Sequence, residues 1–173
     1  MRERANLMQK EKVLTSATLS FLVKEGSVLL GFKTSGIGRG FWNGYGGGIK
    51  KGETEIRAAV RELKEEVGIT AAHLAKVAIA DFHNTKSDGK TFTCRVHIYL
   101  VKEWSGEPSQ TKEMLIPTWF NVDRLPEMIP ADKVWLPYIL KGEKIMIEAS
   151  LGPFQKTLLG EVIIKPVNDF SSE

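Results

Sequence analysis

The stretch that decides the fold runs from Gly46 to Ile69 and reads GGGIKKGETEIRAAVRELKEEVGI. Its glycines favour a loop, whereas the residues after them space their apolar side chains for an amphipathic helix. Thr54 suits the N-cap of that helix, and Gly68 suits the position just after its end. The predicted apolar stripe, which would face a core, consists of Ile56, Ala59, Val60, Leu63 and Val67.

The same helix concentrates three carboxylates near its C-terminal end. Glu62 and Glu66 are four residues apart, so they share a face and repel by roughly 0.2–0.5 kcal/mol. Glu65 lies further round the helix, and the helix dipole disfavours negative charge at this end. Such repulsion indicates a positively charged partner, for which a divalent metal ion is the simplest candidate.

A basic segment precedes the acidic helix. Residues 31–52 contain Lys33, Arg39, Lys50 and Lys51 but no Asp or Glu, and they hold more than half of the chain's 16 glycines. A basic glycine loop beside carboxylates suits a complex of phosphate and metal. It suits duplex nucleic acid less well, because the carboxylates would repel that backbone.

Composition indicates a globular protein with one domain, spanning residues 1–173, with residues 1–12 and 168–173 as tails. The chain is 42% hydrophobic, and its net charge of +3 does not by itself indicate a nucleic-acid partner. A single cysteine, Cys94, excludes an internal disulfide and fits a reducing cytoplasm. The N-terminus lacks a secretory signal, and no apolar run approaches the ~20 residues that cross a membrane. A cytoplasmic protein without membrane contact is therefore predicted.

Hydrophobic periodicity surrounds the helix with strands and a second, shorter helix. The predicted class is α+β, with a mixed sheet flanked by one strong helix and one weaker helix. Residues 34–48 are predicted as a loop, and 132–140 as the shorter helix despite Pro137. The last two strands are expected to form a hairpin that turns near Gly152. The predicted strands are 13–23, 27–33, 76–83, 91–101, 114–122, 142–150 and 156–167.

Gly47, Glu53 and the run from Arg61 to Ile69 (RELKEEVGI) together resemble a complete Nudix box. Residues 41–47, 113–120 and 130–137 make the chain similar to MutT-type enzymes that hydrolyse oxidised purine nucleoside triphosphates. This resemblance extends over about residues 13–167 and implies the α/β/α sandwich of the Nudix fold. It further implies a pyrophosphohydrolase that uses Mg²⁺, with Mn²⁺ as a substitute, to convert 8-oxo-dGTP into the monophosphate and pyrophosphate. A monomer is expected.

The resemblance also implies a role for individual residues. Arg61 and Glu53 would form a pair that steadies the glycine loop and orients the catalytic carboxylates Glu62, Glu65 and Glu66. The metal ligands would be the Gly46 carbonyl, Glu62, Glu65, Glu66 and Glu113. The expected substrate-binding residues are Thr18, Lys33, Asn43, Tyr45, Gly46, Gly47, Gly48, Phe82, Ile129 and Asp132.

The chain departs from its relatives in the base pocket. Ile129 replaces a stacking tryptophan, Ala131 replaces one of two adjacent aspartates, and Asn84 replaces a phenylalanine. Losing a stacking aromatic costs roughly 1–3 kcal/mol, which Trp135 or Phe41 would have to offset. Two alternatives therefore stay open: hydrolysis of another nucleoside di- or triphosphate derivative, and a Nudix-fold module that binds nucleotides without turnover.

Overall fold

The computed structural model describes residues 10–171; the outermost parts of the predicted tails, 1–9 and 172–173, lie outside this range. No helix among the described residues is long and apolar enough to cross a membrane. In chain order the elements are β1 (Ser16–Lys24), β2 (Ser27–Lys33), β3 (Trp42–Asn43), β4 (Tyr45–Gly48), α1 (Glu55–Val67), β5 (Thr70–Thr85), β6 (Thr91–Ser105), β7 (Met114–Asn121), α2 (Pro130–Leu140), β8 (Ile145–Leu151) and β9 (Ile163–Pro166), with a 3-10 turn at Pro153–Gln155.

Strand β1 organises the mixed sheet. It pairs in parallel with β6 along one edge, and its other edge is shared by two antiparallel strands. Strand β2 pairs with Leu22 to Lys24, whereas the glycine strand β4 pairs with Ala17 to Ser20. The order across the sheet is β3-β2-β1-β6-β5-β8-β9, and β7 pairs with β2. Because β1 pairs with two different strands along this edge, the glycines of β4 lie beside the first half of β1.

The two helices pack in separate hydrophobic clusters. Leu63 and Val67 of α1 pack in one cluster with Leu22 and Leu29 of the sheet. Trp135 of α2 belongs to the other cluster, and its ring contacts Phe21 edge-on at 5.9 Å between centroids. Since alternate residues of β1 point to opposite faces, Phe21 and Leu22 put the helices on opposite sides of the sheet. The predicted α+β class, with one strong and one shorter helix, is confirmed.

Helix α1 begins and ends where the sequence predicts. Thr54 Oγ1 accepts a hydrogen bond from the Arg57 N–H at 3.3 Å, and Gly68 ends the helix with a left-handed φ of 76°. The predicted apolar stripe is wrong at two positions, because Ile56 is 54% exposed and Val60 is only partly buried, whereas Ala58 is fully buried. The helix is rolled so that the side bearing its glutamates, and not only its apolar stripe, faces the sheet.

Several strands differ from the predicted boundaries. Residues 34–48, predicted as a loop, include β3 and β4; strand β5 begins at Thr70 and β6 continues to Ser105. The glycines of β4 have no intrinsic strand preference, so their strand conformation comes from pairing with β1. The C-terminal hairpin is confirmed, since β8 pairs antiparallel with β9. Its turn contains Phe154 and Gln155 with positive φ values of 53° and 58°.

Candidate active site

The glycines of β4 bring the backbone of the sheet directly against α1 and β1. A Cβ atom on Gly46 would overlap the carbonyl oxygen of Thr18 across the strand pair. A Cβ atom on Gly47 would lie 2.5 Å from Glu62 Oε1. Only glycine therefore allows this strand to pair with β1 while the carboxylates of α1 lie against it.

Arg61 connects the helix to the loop that precedes it. Its Nε and Nη2 donate to the two carboxylate oxygens of Glu53, each at 2.8 Å, and Nη2 also donates to the Gly48 carbonyl at 3.0 Å. Its Nη1 donates to Glu62 Oε1 at 2.8 Å and to Glu65 Oε2 at 3.2 Å. One guanidinium thus fixes the loop and orients two of the three helix carboxylates.

The Arg61–Glu53 pair is strongly charged. The guanidinium hydrogen bonds lower the pKa of Glu53 to about 2, and the Lys50 N–H, which donates to Glu53 Oε1 at 3.1 Å, acts in the same direction. The pKa of Arg61 is raised above its usual value, chiefly by its hydrogen bond to Glu53. Both groups stay ionised across the physiological range, so the pair can position the loop at any working pH.

Glu66 is the most perturbed carboxylate of the cluster. It is partly buried, and its Oε2 accepts a hydrogen bond from the Gly46 N–H at 3.1 Å. The pKa of Glu66 is raised to about 8, chiefly by burial and also by the negative charges of Glu62 and Glu113, against the opposing effects of Lys33 and of the Gly46 N–H. Ionised Glu66 therefore sits among like charges with little solvent, a position in which a bound cation would be strongly favoured.

Glu62, Glu65, Glu66 and Glu113 line one cleft of about 280 Å³, which Thr111 and Lys112 complete. Within residues 10–171, no three acidic, histidine or cysteine side chains are already arranged around a common point as metal ligands, since Glu62 and Glu65 face Arg61 here. The donor set is nevertheless oxygen only, which suits a hard divalent cation. The largely buried carboxyl group of Glu66 fits the same cation.

A cavity of about 150 Å³ begins at this cluster and extends between β1, β4 and β5. It brings together eight of the predicted substrate-binding residues, namely Thr18, Lys33, Asn43, Gly46, Gly47, Phe82, Ile129 and Asp132. Glu66 lines it as well, so the cavity opens beside the carboxylates. Its apolar wall includes Leu14, Ile37 and Phe92, which the sequence did not single out.

Two predicted substrate contacts are not in this cavity. Tyr45 is fully buried and packs with Leu63 and Met114 in the α1-side core, so the structure corrects its predicted role to a packing one. Gly48 accepts a hydrogen bond from Arg61 instead of lining the cavity, so its role is to anchor the loop. Tyr45 and Gly48 are the two end residues of β4, and the two glycines between them line the cavity.

The stacking role suggested for Trp135 or Phe41 is also wrong, because neither ring lines the cavity. Trp135 is fully buried, and its Nε1 donates to Asp132 Oδ1 at 3.1 Å. Its function is therefore to hold the aspartate. The cavity wall is closed by Phe82 and Ile129.

The polar groups of the cavity differ in what they can still bind. Burial raises the pKa of Asp132 to about 7, against the opposing effects of the Trp135 hydrogen bond and of Lys33. Thr18 Oγ1 is buried with no hydrogen-bond partner among the described residues. The Asn43 amide nitrogen donates to the carbonyls of Gly38 at 3.1 Å and Phe41 at 2.9 Å, so it holds the glycine loop. An unpaired buried hydroxyl and a titratable buried acid suit a polar ligand.

Sequence reasoning missed Gln155. It is 8% exposed, lines the cavity and donates through Nε2 to Asn84 Oδ1 at 3.0 Å. It follows a Gly-Pro turn some 70 residues after Asn84, and no periodicity or motif connects the two. Only the departure from phenylalanine at position 84 hinted that this wall is polar.

The Arg61 network predicts the effect of Arg61→Lys. A lysine keeps the charge but cannot donate in a fork to Glu53 while also reaching Glu62 and Glu65. We expect kcat/KM to fall about 10–100-fold, mainly through kcat, because the carboxylates lose their orientation. Steady-state kinetics measure this, with exposed Lys64→Ala as the control on the same helix. Activity of the lysine variant within twofold of wild type would show that charge alone suffices.

The comparisons agree with this geometry. The chain matches the NUDIX domain family over residues 14–139. It is 40% identical over 131 residues to the oxidized purine nucleoside triphosphate hydrolase of Danio rerio, which covers 75% of this chain and 81% of the relative. It is 35% identical over 104 residues to the 8-oxo-dGTP diphosphatase of Escherichia coli (strain K12), which covers 58% of this chain and 72% of the relative. The crystal structure of a MutT mutator protein from Bacillus halodurans superposes with a TM-score of 0.74 at 25% identity, covering 87% of this chain and 97% of that one.

The matched residues run from just before β1 to the end of α2, so they include the carboxylate cluster and most of the cavity. Hydrolases with this domain generally need a divalent metal ion. On the family match and the identity to curated relatives, the chain is a member of the Nudix hydrolase family.

Proposed function

We propose that this hydrolase is a Mg²⁺-dependent nucleoside triphosphate pyrophosphohydrolase that removes oxidised purine nucleotides such as 8-oxo-dGTP. The products would be the nucleoside monophosphate and pyrophosphate. The observation that carries the proposal is the cavity, which has apolar walls, buried polar groups and the carboxylate cluster at its mouth. The names of the Danio rerio and Escherichia coli relatives support the choice of an oxidised purine.

The phosphate chain would lie across the mouth of the cavity. There Gly46 and Gly47 let the backbone approach it closely, and Lys33 supplies a positive charge. Glu62, Glu65, Glu66 and Glu113, with the Gly46 carbonyl, would hold the metal. A divalent cation in such a site neutralises phosphate charge and makes a bound water more acidic.

The carboxylates would also manage the proton of the attacking water. The charges of Glu62 and Glu113 act on the ionisation of Glu66, so the general base belongs to the cluster and not to one separable residue. Arg61 would keep Glu62 and Glu65 oriented throughout, because Glu53 anchors it. Inside the cavity, Phe82 and Ile129 would exclude water from the base.

The single cysteine bears on the compartment in which the enzyme works. The thiol of Cys94 is buried and unpaired, and burial raises its pKa to about 11, which makes it unreactive. This fits a cytoplasmic protein that needs no disulfide, and we propose that it is a monomer. Size-exclusion chromatography with light scattering would test the monomer.

The function is tested by incubating the protein with Mg²⁺ and a panel of nucleotides. Turnover is measured as the release of pyrophosphate. We expect 8-oxo-dGTP to be cleaved to the monophosphate and pyrophosphate, with a kcat/KM at least tenfold above that for dGTP. A ratio near one would overturn the sanitising role. Tight binding of nucleotides without any turnover would instead identify a binding module.

Asp132 predicts a pH dependence of base recognition. The pKa of Asp132 is about 7 in the free protein. Below pH 7 its protonated carboxyl group can donate a hydrogen bond, whereas above pH 7 the ionised carboxylate can only accept. We expect Asp132→Asn to lower kcat/KM for 8-oxo-dGTP about tenfold and to remove an inflection near pH 7 from its pH profile. The exposed Asp123→Asn is the matched control. An unchanged inflection in Asp132→Asn would assign it to another group.

A further inference from the structure

The wall of the cavity contains one polar pair, Asn84 and Gln155. Asn84 is 1% exposed and Gln155 is 8% exposed, and both line the cavity beside the apolar side chains of Phe82 and Phe92. Buried amides in such a wall are costly unless hydrogen bonds satisfy them. Their partners therefore indicate which polar atoms remain for a ligand.

The orientations of both amides are fixed by a backbone carbonyl. Asn84 Nδ2 donates to the Phe82 carbonyl at 2.9 Å, and a carbonyl can only accept, so Asn84 Oδ1 must point the other way. That oxygen accepts from Gln155 Nε2 at 3.0 Å. Gln155 Oε1 is the end of this chain; it accepts no hydrogen bond within residues 10–171 and is not a fully buried atom, so solvent can reach it. An unused acceptor is thus held at the cavity wall.

The turn that carries Gln155 holds it in place. Phe154 and Gln155 have positive φ values of 53° and 58°, which non-glycine residues rarely adopt. Two backbone hydrogen bonds close the turn, from the Gln155 N–H to the Gly152 carbonyl at 2.9 Å and from the Gly152 N–H to the Thr157 carbonyl at 3.0 Å. The side chain is therefore positioned before a ligand arrives, and unfavourable backbone geometry of this kind is concentrated at functional sites.

The polar pair lies far from the carboxylate cluster. Strand register aligns Gly48, Ala17, Val96 and Ala80 in one row, and Asn84 is four residues beyond Ala80, about 13 Å along the strands. Gly46 and Glu66 lie on the opposite side of that row. A nucleotide with its phosphates at Glu66 would therefore present its base, not its phosphates, to Gln155.

We propose that Gln155 determines base specificity by accepting a hydrogen bond from the N7–H of an 8-oxopurine. An unmodified purine has a lone pair at N7, whereas the 8-oxo form carries a hydrogen there. An acceptor at this place attracts the oxidised base and repels the unmodified one, which discriminates more strongly than an apolar pocket could. The inference rests on the proposed function and assigns the discrimination to Gln155, with Asn84 as its positioning residue.

The test compares kcat/KM for 8-oxo-dGTP and dGTP in wild type and Gln155→Met, which keeps the length of the side chain but removes the acceptor. We expect turnover of 8-oxo-dGTP to fall about tenfold and turnover of dGTP to stay equal or rise, so that the ratio falls at least tenfold. Phe92→Leu is the matched control, since it changes the same wall without removing a hydrogen bond and should affect both substrates alike.

Gln155→Met leaves Asn84 Oδ1 buried and unpaired, which lowers stability. If that variant does not fold, the double variant Asn84→Leu/Gln155→Met removes both partners and carries the same expectation. Suppose that the ratio of kcat/KM for 8-oxo-dGTP to that for dGTP is well above one in wild type and unchanged in these variants. This inference would then be overturned, while the proposed function would stand. An equal fall of kcat/KM for both substrates would have the same consequence. A wild-type ratio near one would overturn the proposed function itself.

Discussion

Glu66→Gln is expected to lower kcat/KM at least 1000-fold while the protein still folds. The change is nearly isosteric, and it removes the carboxylate that shares a cleft with Glu62 and Glu113. A neutral amide cannot balance a divalent cation as a carboxylate does, and removing one electrostatic contact to the transition state typically costs 100- to 1000-fold. Here the same residue would also share the handling of the proton, so the larger loss is expected. Pyrophosphate release measures the activity.

The same variant should become more stable than wild type at high pH. The pKa of Glu66 is about 8 in the folded protein and about 4.5 when unfolded. Below pH 4.5 the side chain is protonated in both states, and its protonated form costs nothing. As the pH rises towards 8, the unfolded chain releases the proton while the folded chain retains it, so wild type loses stability. Glutamine does not titrate, and the variant avoids this loss, which is on the order of a few kcal/mol.

Denaturant unfolding at pH 5 and pH 9, in buffer with a chelator, measures this difference. The free energy of unfolding of Glu66→Gln minus that of wild type should be larger at pH 9. Glu65→Gln is the matched control, because it removes the same charge from an exposed side chain one residue away. Equal pH dependence in wild type and Glu66→Gln would show that Glu66 is not strained by burial. Turnover above a tenth of the wild-type rate would exclude it as an essential group.

Glu66 is therefore expected to support activity and to lower stability. This explains why the orientation of α1, with its glutamates towards the sheet, serves the reaction and not packing. A helix that only packed would bury Ile56 and turn Glu62 and Glu66 to water, as the apolar stripe predicts. The structure exposes Ile56 and fully buries Ala58, which lies one turn before Glu62 on the same side of the helix. Part of the hydrophobic contribution is given up so that the carboxylates lie against the glycines.

What could be predicted from the sequence depended on how local the signal was. The helix limits at Thr54 and Gly68, and the carboxylates between them, follow from residues a few positions apart. Strand β4 did not, because its conformation comes from β1, some 28 residues earlier in the chain. The same is true of Gln155, which reaches the cavity only through the β5·β8 pairing and a strained turn.

Tyr45 illustrates a second reason for such errors. It stands among residues that line the cavity, and its aromatic ring resembles a ligand platform. Alternation along β4 turns it into the core instead, where it packs with Leu63. Neighbouring positions in the sequence therefore predicted which segment carries the candidate site, but not which of its side chains face the cavity.

Gly46→Ala is expected to damage both the fold and the activity. The added Cβ would overlap the Thr18 carbonyl oxygen and lie 2.9 Å from Leu19 Cα. Both atoms belong to the backbone of β1, so the clash cannot be relieved by a side-chain rotation, and the β1·β4 pairing must open. We expect a loss of about 3 kcal/mol in the free energy of unfolding, at the upper end for overpacking. The Gly46 N–H would also move away from Glu66, and kcat/KM should fall about 100-fold.

Gly52→Ala separates this clash from the general effect of losing a glycine. Gly52 has a left-handed φ of 79°, but no atom lies within 4 Å of the place its Cβ would occupy. Its substitution should cost about 1 kcal/mol from backbone strain alone and leave the carboxylates in position. If Gly46→Ala lowered the free energy of unfolding no more than Gly52→Ala, β4 would have space for a Cβ atom at position 46, contrary to the structure. If its stability fell while kcat/KM stayed at the wild-type value, Glu66 would not depend on the Gly46 N–H for its position.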